Sequence, residues 1–324
     1  MNAKPRELSS PLSLSLLELR DGDERMLQVR RPLSGEDTNL LDRFLEKWPK
    51  VWLRVYAGVG QRPEDWNWLG ALSNLKNLWL DLLPGEFSTT EFLDVLPASL
   101  SALYLPASID WNSCAASVVR LHSLVELSLS GKKPKLQQLA SLIGLRKLIL
   151  FRATDVRIAE LSACAALEVM DIQNGSKVGL SGLEELTRLN TVRVFNCGIR
   201  GVASIAGCRH LRKLELIDVR ADAHLPGLHA LTELTALRVA SFRPGYSAAS
   251  VLAPPSLTDL ALDTYRKDCT DPIPDGLRDL SGIEHVHFGL LRPEEARVAE
   301  TKLRHHLEKD LSRMPFGVWN PSGG

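Results

Sequence analysis

Apolar residues return along this chain in one fixed order, leucine-x-x-leucine-x-leucine. The order begins at Leu75-Lys76-Asn77-Leu78-Trp79-Leu80 and recurs from Leu100, Leu124, Leu145, Leu167, Leu189, Leu211, Leu234, Leu257 and Ile283, with starts 21 to 26 residues apart. A period of this length marks a stack of like units that bury one continuous core. In the most regular unit, Val192-Arg193-Val194 alternates apolar and polar, as a short half-buried strand does. Further on, Val202, Ile205, Cys208 and Leu211 recur every third residue, as do Leu136, Leu139, Leu142 and Leu145. The same step runs through Ile158, Leu161, Cys164 and Leu167, through Leu180 to Leu189, and through Leu225 to Leu234. Positions i and i+3 eclipse in a 3-10 helix, so this step predicts a 3-10 or short helical return. Each unit reads as a strand, a turn and a tight return.

Over about residues 48 to 290 these units resemble the leucine-rich-repeat family, in its roughly 22-residue class of phosphatase-regulator-type and internalin-type proteins. The resemblance implies an α/β solenoid. Its curved parallel sheet would form the concave face, its 3-10 or short-helix returns the convex face, and caps would close both ends. The family pattern continues with asparagine at the ninth position. Here that position holds Leu83, Ser108, Lys132, Ala153, Gly175, Cys197, Val219, Phe242, Tyr265 and Leu291. Of these only Cys197 is a residue type that the family also carries in place of asparagine, so the buried amide ladder that pins the family's turn is largely missing.

An open stack needs its terminal apolar faces covered. Residues 1–48 are expected to form the N-terminal cap. In it, Leu12–Leu19 and Met26–Arg30 flank Asp21-Gly22-Asp23 as a hairpin, and a helix carries Leu40, Leu41, Phe44, Leu45 and Trp48 up to Pro49. Repeats fill 49–291. Pro293-Glu294-Glu295 then opens a C-terminal cap helix over 292–313, with Ala299, Leu303, Leu307 and Leu311 inward and a tail over 314–324. Caps at both ends lead to the expectation of one complete domain.

Composition narrows the partners. Lysine plus arginine equals aspartate plus glutamate, 39 each, so no net basic field attracts phosphate backbones and no nucleic acid is expected. No stretch approaches the ~20 apolar residues of a membrane span, and no secretory signal opens the chain. The five cysteines are odd in number, and Cys164 and Cys208 fall at equivalent core positions two units apart, too far for a disulfide. A reducing, cytoplasmic compartment is expected.

The third and fifth positions of each signature point away from the core. With Trp48 to Leu53 counted as a first, degenerate unit, the fifth column runs Trp52, Trp79, Tyr104, Ser128, Ile149, Asp171, Arg193, Glu215, Arg238, Ala261, His287. Trp52, Trp79 and Tyr104 form an aromatic ladder. It is either a contiguous apolar patch of the kind that anchors protein interfaces, or packing beneath the N-terminal hairpin or the Trp66-Asn67-Trp68 segment. Asp171, Arg193, Glu215 and Arg238 alternate in charge, as favourable cross-strand neighbours do. They form either a self-satisfied face or the polar half of an interface that orients a partner. Lys147 and Lys213 in the third column add positive charge, and Phe151 and Phe195 add apolar side chains at the seventh position.

A metal set is conceivable at His285 and His287, one strand from Asp259, although the spacing is short and an open sheet supplies neither cleft nor general base. Nucleophile-elbow, phosphate-loop and zinc-protease motifs are missing from the sequence. The expected function is therefore non-enzymatic and cofactor-free. A protein partner would be bound on the concave face through Trp52, Trp79, Tyr104, Asp171, Arg193, Glu215 and Arg238, with a regulator, inhibitor or toxin-neutralising role. Two other readings stand beside it: a metal-binding protein or metal-dependent enzyme at His285, His287 and Asp259, and an exported surface-recognition protein of internalin type.

Overall fold

The computed structural model of the chain describes residues 6–12, 26–57, 63–82, 91–247, 250–251, 254–263 and 285–289. The chain divides into two compact units, Met1–Ala153 and Thr154–Gly324. In the first unit, strands β1 (Arg6–Leu8), β2 (Met26–Val29), β3 (Trp52–Ala57), β4 (Asn77–Leu82), β5 (Ala102–Tyr104), β6 (Glu126–Leu129) and β7 (Lys147–Phe151) lie side by side in chain order. Every pair is parallel. Parallel neighbours need a crossover between them, and the described returns supply it. Helix α1 (Gly35–Lys47) joins β2 to β3 and helix α2 (Trp111–Val119) joins β5 to β6. Elsewhere 3-10 segments do the same, over Pro63–Ala71, Glu91–Val95 and Leu136–Ser141.

The second unit repeats the scheme. Its strands β8 (Val169–Gln173), β10 (Thr191–Arg200), β11 (Lys213–Arg220), β12 (Ala236–Arg243), β13 (Asp259–Asp263) and β14 (His285–Gly289) are again parallel and in order. A short strand, β9 (Val178–Gly179), pairs with the far end of β10. The 3-10 returns Ile158–Leu161, Leu183–Glu185 and Val202–Gly207 fall on the three-residue steps, and Ile158, Leu161, Leu183, Val202 and Ile205 are all buried.

Three devices hold successive units in register. The fourth-position residues stack strand on strand: Leu53, Leu78, Leu103, Leu127 and Leu148 in one unit, and Met170, Val192, Leu214, Leu237 and Leu260 in the other. All are buried. Each removes apolar surface worth about 1.5–3 kcal/mol. Second, the carbonyl of the second position accepts two N–H groups from the next unit. Arg146 and Lys147 both donate to Val125 O (2.8 and 3.0 Å), and Arg212 and Lys213 to Asn190 O (2.8 and 2.9 Å). Third, the returns close by i→i−3 bonds, such as Cys208 N to Ile205 O (3.1 Å) and Leu211 N to Cys208 O (2.9 Å).

In the five repeats that carry β7, β8, β10, β11 and β12 the turn at the eighth position is also uniform, without the family's asparagine. The eighth-position residues Arg152, Asn174, Asn196, Asp218 and Ser241 are all left-handed, with φ between 47 and 55°. Three of the five are Asn or Asp, the side chains that tolerate this region best. At the ninth position Gly175, Cys197, Val219 and Phe242 are buried in the second unit, as Ala153 is in the first, so small and apolar residues stand where the family has its amides. Cys164 and Cys208 are free, buried core thiols, as expected. Burial pushes the Cys164 thiol up to about 11. Burial, with the Glu184 carboxylate nearby, pushes Cys208 to about 12.

At the N-terminus one expectation is corrected. Met26–Val29 is not the arm of an antiparallel hairpin: β2 pairs in parallel with β1 on one edge and with β3 on the other, which leaves it no edge for a hairpin partner. Residues 13–25, including most of the other expected arm, lie outside the described residues, as do the expected cap helix over 292–313 and the tail. Helix α1 forms where its sequence directs. Ser34 caps it by accepting from Asp37 N (3.2 Å), and Leu41, Phe44 and Leu45 turn inward.

Candidate functional site

Two clusters stand on the sheet face opposite the core, one in each unit. In the first, Trp79 and Tyr104 are cross-strand neighbours at the fifth position, with ring centroids 5.8 Å apart. Trp52 is not in their column: it pairs with Asn77, and Arg54 pairs with Trp79. Its ring nonetheless leans across to Tyr104, edge-on at 4.8 Å. The three aromatics therefore meet, by a route the sequence register did not give. Each is half-buried.

Arg54 is the residue that sequence reasoning missed. Its guanidinium lies 5.2 Å from the Trp79 ring and 5.6 Å from the Tyr56 ring. It donates to Gln28 Oε1 (3.1 Å) and pairs with Asp81. A cation held over an aromatic face by a carboxylate fixes both partners. On the other side, the Tyr104 hydroxyl donates to Glu126, whose carboxylate also meets Lys147 Nζ at 2.7 Å. The aromatic cluster is thus braced by two ion pairs and presents rings of fixed orientation. Trp66 is buried in its 3-10 segment and Trp68 half-buried beside it, with ring centroids 6.3 Å apart.

In the second unit the expected ladder forms: Asp171, Arg193, Glu215 and Arg238 are successive cross-strand neighbours. Its charges are layered. The carboxylates lie deep, with Asp171 8% and Glu215 6% exposed. The Arg193 and Lys213 side chains reach further out, 27% and 24% exposed. Lys213 Nζ approaches Glu215 Oε1 at 2.9 Å, an ionic contact without hydrogen-bond alignment, and Arg193 Nε approaches Glu215 Oε2 at 3.7 Å. Gln173 Nε2 donates to Asp171 Oδ2 (2.9 Å). Beside the ladder, Phe195, Ile217 and Ala240 align at the seventh position as an apolar stripe, with Phe195 43% exposed.

Asp259 is in register with His285, and Ala261 with His287. The β14 side chains lie outside the described residues, and the suggested metal set of His285 and His287 with Asp259 lies there with them. Among the described residues no group of three His, Cys, Asp or Glu side chains is placed to hold a metal ion. No described helix is long and apolar enough to cross a membrane.

No protein-family model and no curated protein matches the chain. Solved structures do. An internalin from Listeria monocytogenes matches with a TM-score of 0.52 at 18% identity, over 82% of this chain and 79% of that one. A leucine-rich-repeat protein of Leptospira interrogans matches with a TM-score of 0.56 at 17% identity, over 89% and 72%. Drosophila Toll, in its complex with Spätzle, matches with a TM-score of 0.59 at 16% identity, over 81% of this chain but 39% of the Toll chain. At these identities the likeness is one of fold: the chain has the leucine-rich-repeat fold. Parallel strands in chain order joined by 3-10 returns are its defining features, and both units have them.

Proposed function

We propose that this chain is a non-enzymatic module that binds a protein partner on the sheet face opposite the core. The observation that carries this reading is the braced aromatic cluster: Trp52, Trp79 and Tyr104 meet on that face, each half-buried, with Trp79 held by Arg54 and Tyr104 by Glu126. Large aromatics with little rotamer freedom left to lose are the residues from which interface hot spots are built. The charged ladder is assigned the orienting role, since paired charges at an interface set register and encounter more than affinity. The solved complex of Toll with Spätzle supports the reading by analogy of fold.

Within this reading the chain acts as a regulator or inhibitor in the cytoplasm, where its free, buried thiols are compatible with a reducing environment. A protein partner, not a nucleic acid, suits a chain with 39 basic and 39 acidic residues. The test is affinity capture from native lysate with mass spectrometry, comparing wild type with a Trp79→Ala/Tyr104→Ala variant shown to be folded. A protein recovered with wild type and lost with the variant is the expected result. Equal recovery by both removes the aromatics from the interface.

A further inference from the structure

Given the protein-binding reading above, on which this inference rests, the second unit bears on the chemistry of the partner. Its ladder is sorted by depth. Glu215 and Asp171 are almost wholly covered, whereas Arg193 and Lys213 stand about a quarter exposed above them. Solvent on this face therefore meets the cations and not the acids that balance them. Arg193 is the least committed of these groups. Among the described residues its guanidinium has a single 3.7 Å ionic contact through Nε and no hydrogen bond, and Nε itself is buried. A guanidinium presents a planar fork suited to one carboxylate in bidentate contact. Two residues along the same strand, about 6.6 Å away, Phe195 exposes its ring next to Ile217 on the neighbouring strand.

We infer that the outer face of β10–β12 takes an extended, acidic and apolar segment of the protein partner. A carboxylate seats on Arg193 and a large apolar side chain two residues away seats on Phe195 and Ile217. Charge complementarity selects an acid: a basic segment would meet the exposed layer of Arg193 and Lys213, with Glu215 out of reach beneath it. The apolar stripe selects a peptide over a nucleic-acid strand. A phosphate backbone needs a run of cations along its path, and here Arg193 is flanked in its own column by Asp171 and Glu215.

The test is to pan a random dodecapeptide display library on the full chain at low salt, with folded Arg193→Gln and Phe195→Ser variants as counter-targets. Enrichment of sequences with Asp or Glu two residues from Leu, Ile, Phe or Trp is expected. A labelled peptide made from them should lose about tenfold or more in affinity on Arg193→Gln and on Phe195→Ser, and Arg193→Lys should recover only part of the loss. Peptides without an acid, peptides indifferent to both substitutions, or no enrichment would overturn the inference. So would a single-stranded RNA probe that binds more tightly than the best peptide and depends on Arg193. The two readings fail separately. A native partner whose capture needs Trp79 and Tyr104 but not Arg193 removes this inference alone. One that needs Arg193 and survives Trp79→Ala/Tyr104→Ala removes the aromatic anchors and leaves it standing.

Discussion

Cys197 stands where the repeat family places asparagine, and its sulfur does part of the amide's work. It lies 3.2 Å from Gly175 N, which donates to it, and 3.4 and 3.1 Å from the carbonyl oxygens of Ile172 and Phe195. Burial raises the thiol's pKa, so it stays protonated and can donate as well as accept. Cys197→Val replaces the thiol with a slightly larger apolar side chain and removes both functions. A cost of about 1 kcal/mol is expected, from a buried N–H left without an acceptor. It should appear as a lower urea midpoint at unchanged slope, while Cys197→Asn should not show it. That Cys197 fits the asparagine position was legible in the sequence. That five successive units would share a left-handed eighth residue was not: Arg152, Asn174, Asn196, Asp218 and Ser241 contain no glycine, the residue that would have announced it.

Among the elements, α1 shows how a few polar groups fix a helix start. Asp37 is held below the usual carboxylate range by hydrogen bonds from Ser10, from Leu12 N and from Ser34. Two of these measure 2.8 Å, from Leu12 N to Oδ1 and from Ser34 Oγ to Oδ2. Because the folded pKa is depressed, this stabilisation is complete above the unfolded value of about 4 and is lost as pH falls through the folded one. Wild type should therefore melt higher than Asp37→Asn at neutral pH, and the gap should close on acidification. A constant gap across the titration would assign the effect to packing. Strand β3 explains the one misplaced site residue. Val51, Leu53 and Val55 are all buried, so a slip of two residues leaves every side chain on its proper face. The unit also lacks a leucine at its first position, where Lys50 stands, and Trp48 offered itself instead. Only pairing could decide, and it puts Arg54, not Trp52, beside Trp79.

Across the molecule, each unit is a row of strands that touch mainly their immediate neighbours, and disturbance should spread the same way. Leu214→Ala, at a fully buried site between Val192 and Leu237, should cost about 2–5 kcal/mol. Hydrogen exchange should show protection falling most in β10, β11 and β12 and less in β8. Uniform loss across the second unit would mean that it melts as one block. The repeat architecture and its core were legible because leucines mark them at every turn. The depth order of the charged ladder was not, since a column of alternating signs does not say which side chains lie beneath the others. The shared second-position clamp and left-handed turn have a further consequence for how such a chain can change length. A unit such as residues 189–210 has the same donors, acceptors and apolar column on its upstream side as it offers downstream. A tandem duplication of that stretch meets complementary backbone at both joins, whereas an insertion of a few residues within a strand meets none. A gene for this fold can thus lengthen in whole steps, and each step adds one more row of outward-facing positions on which selection can write.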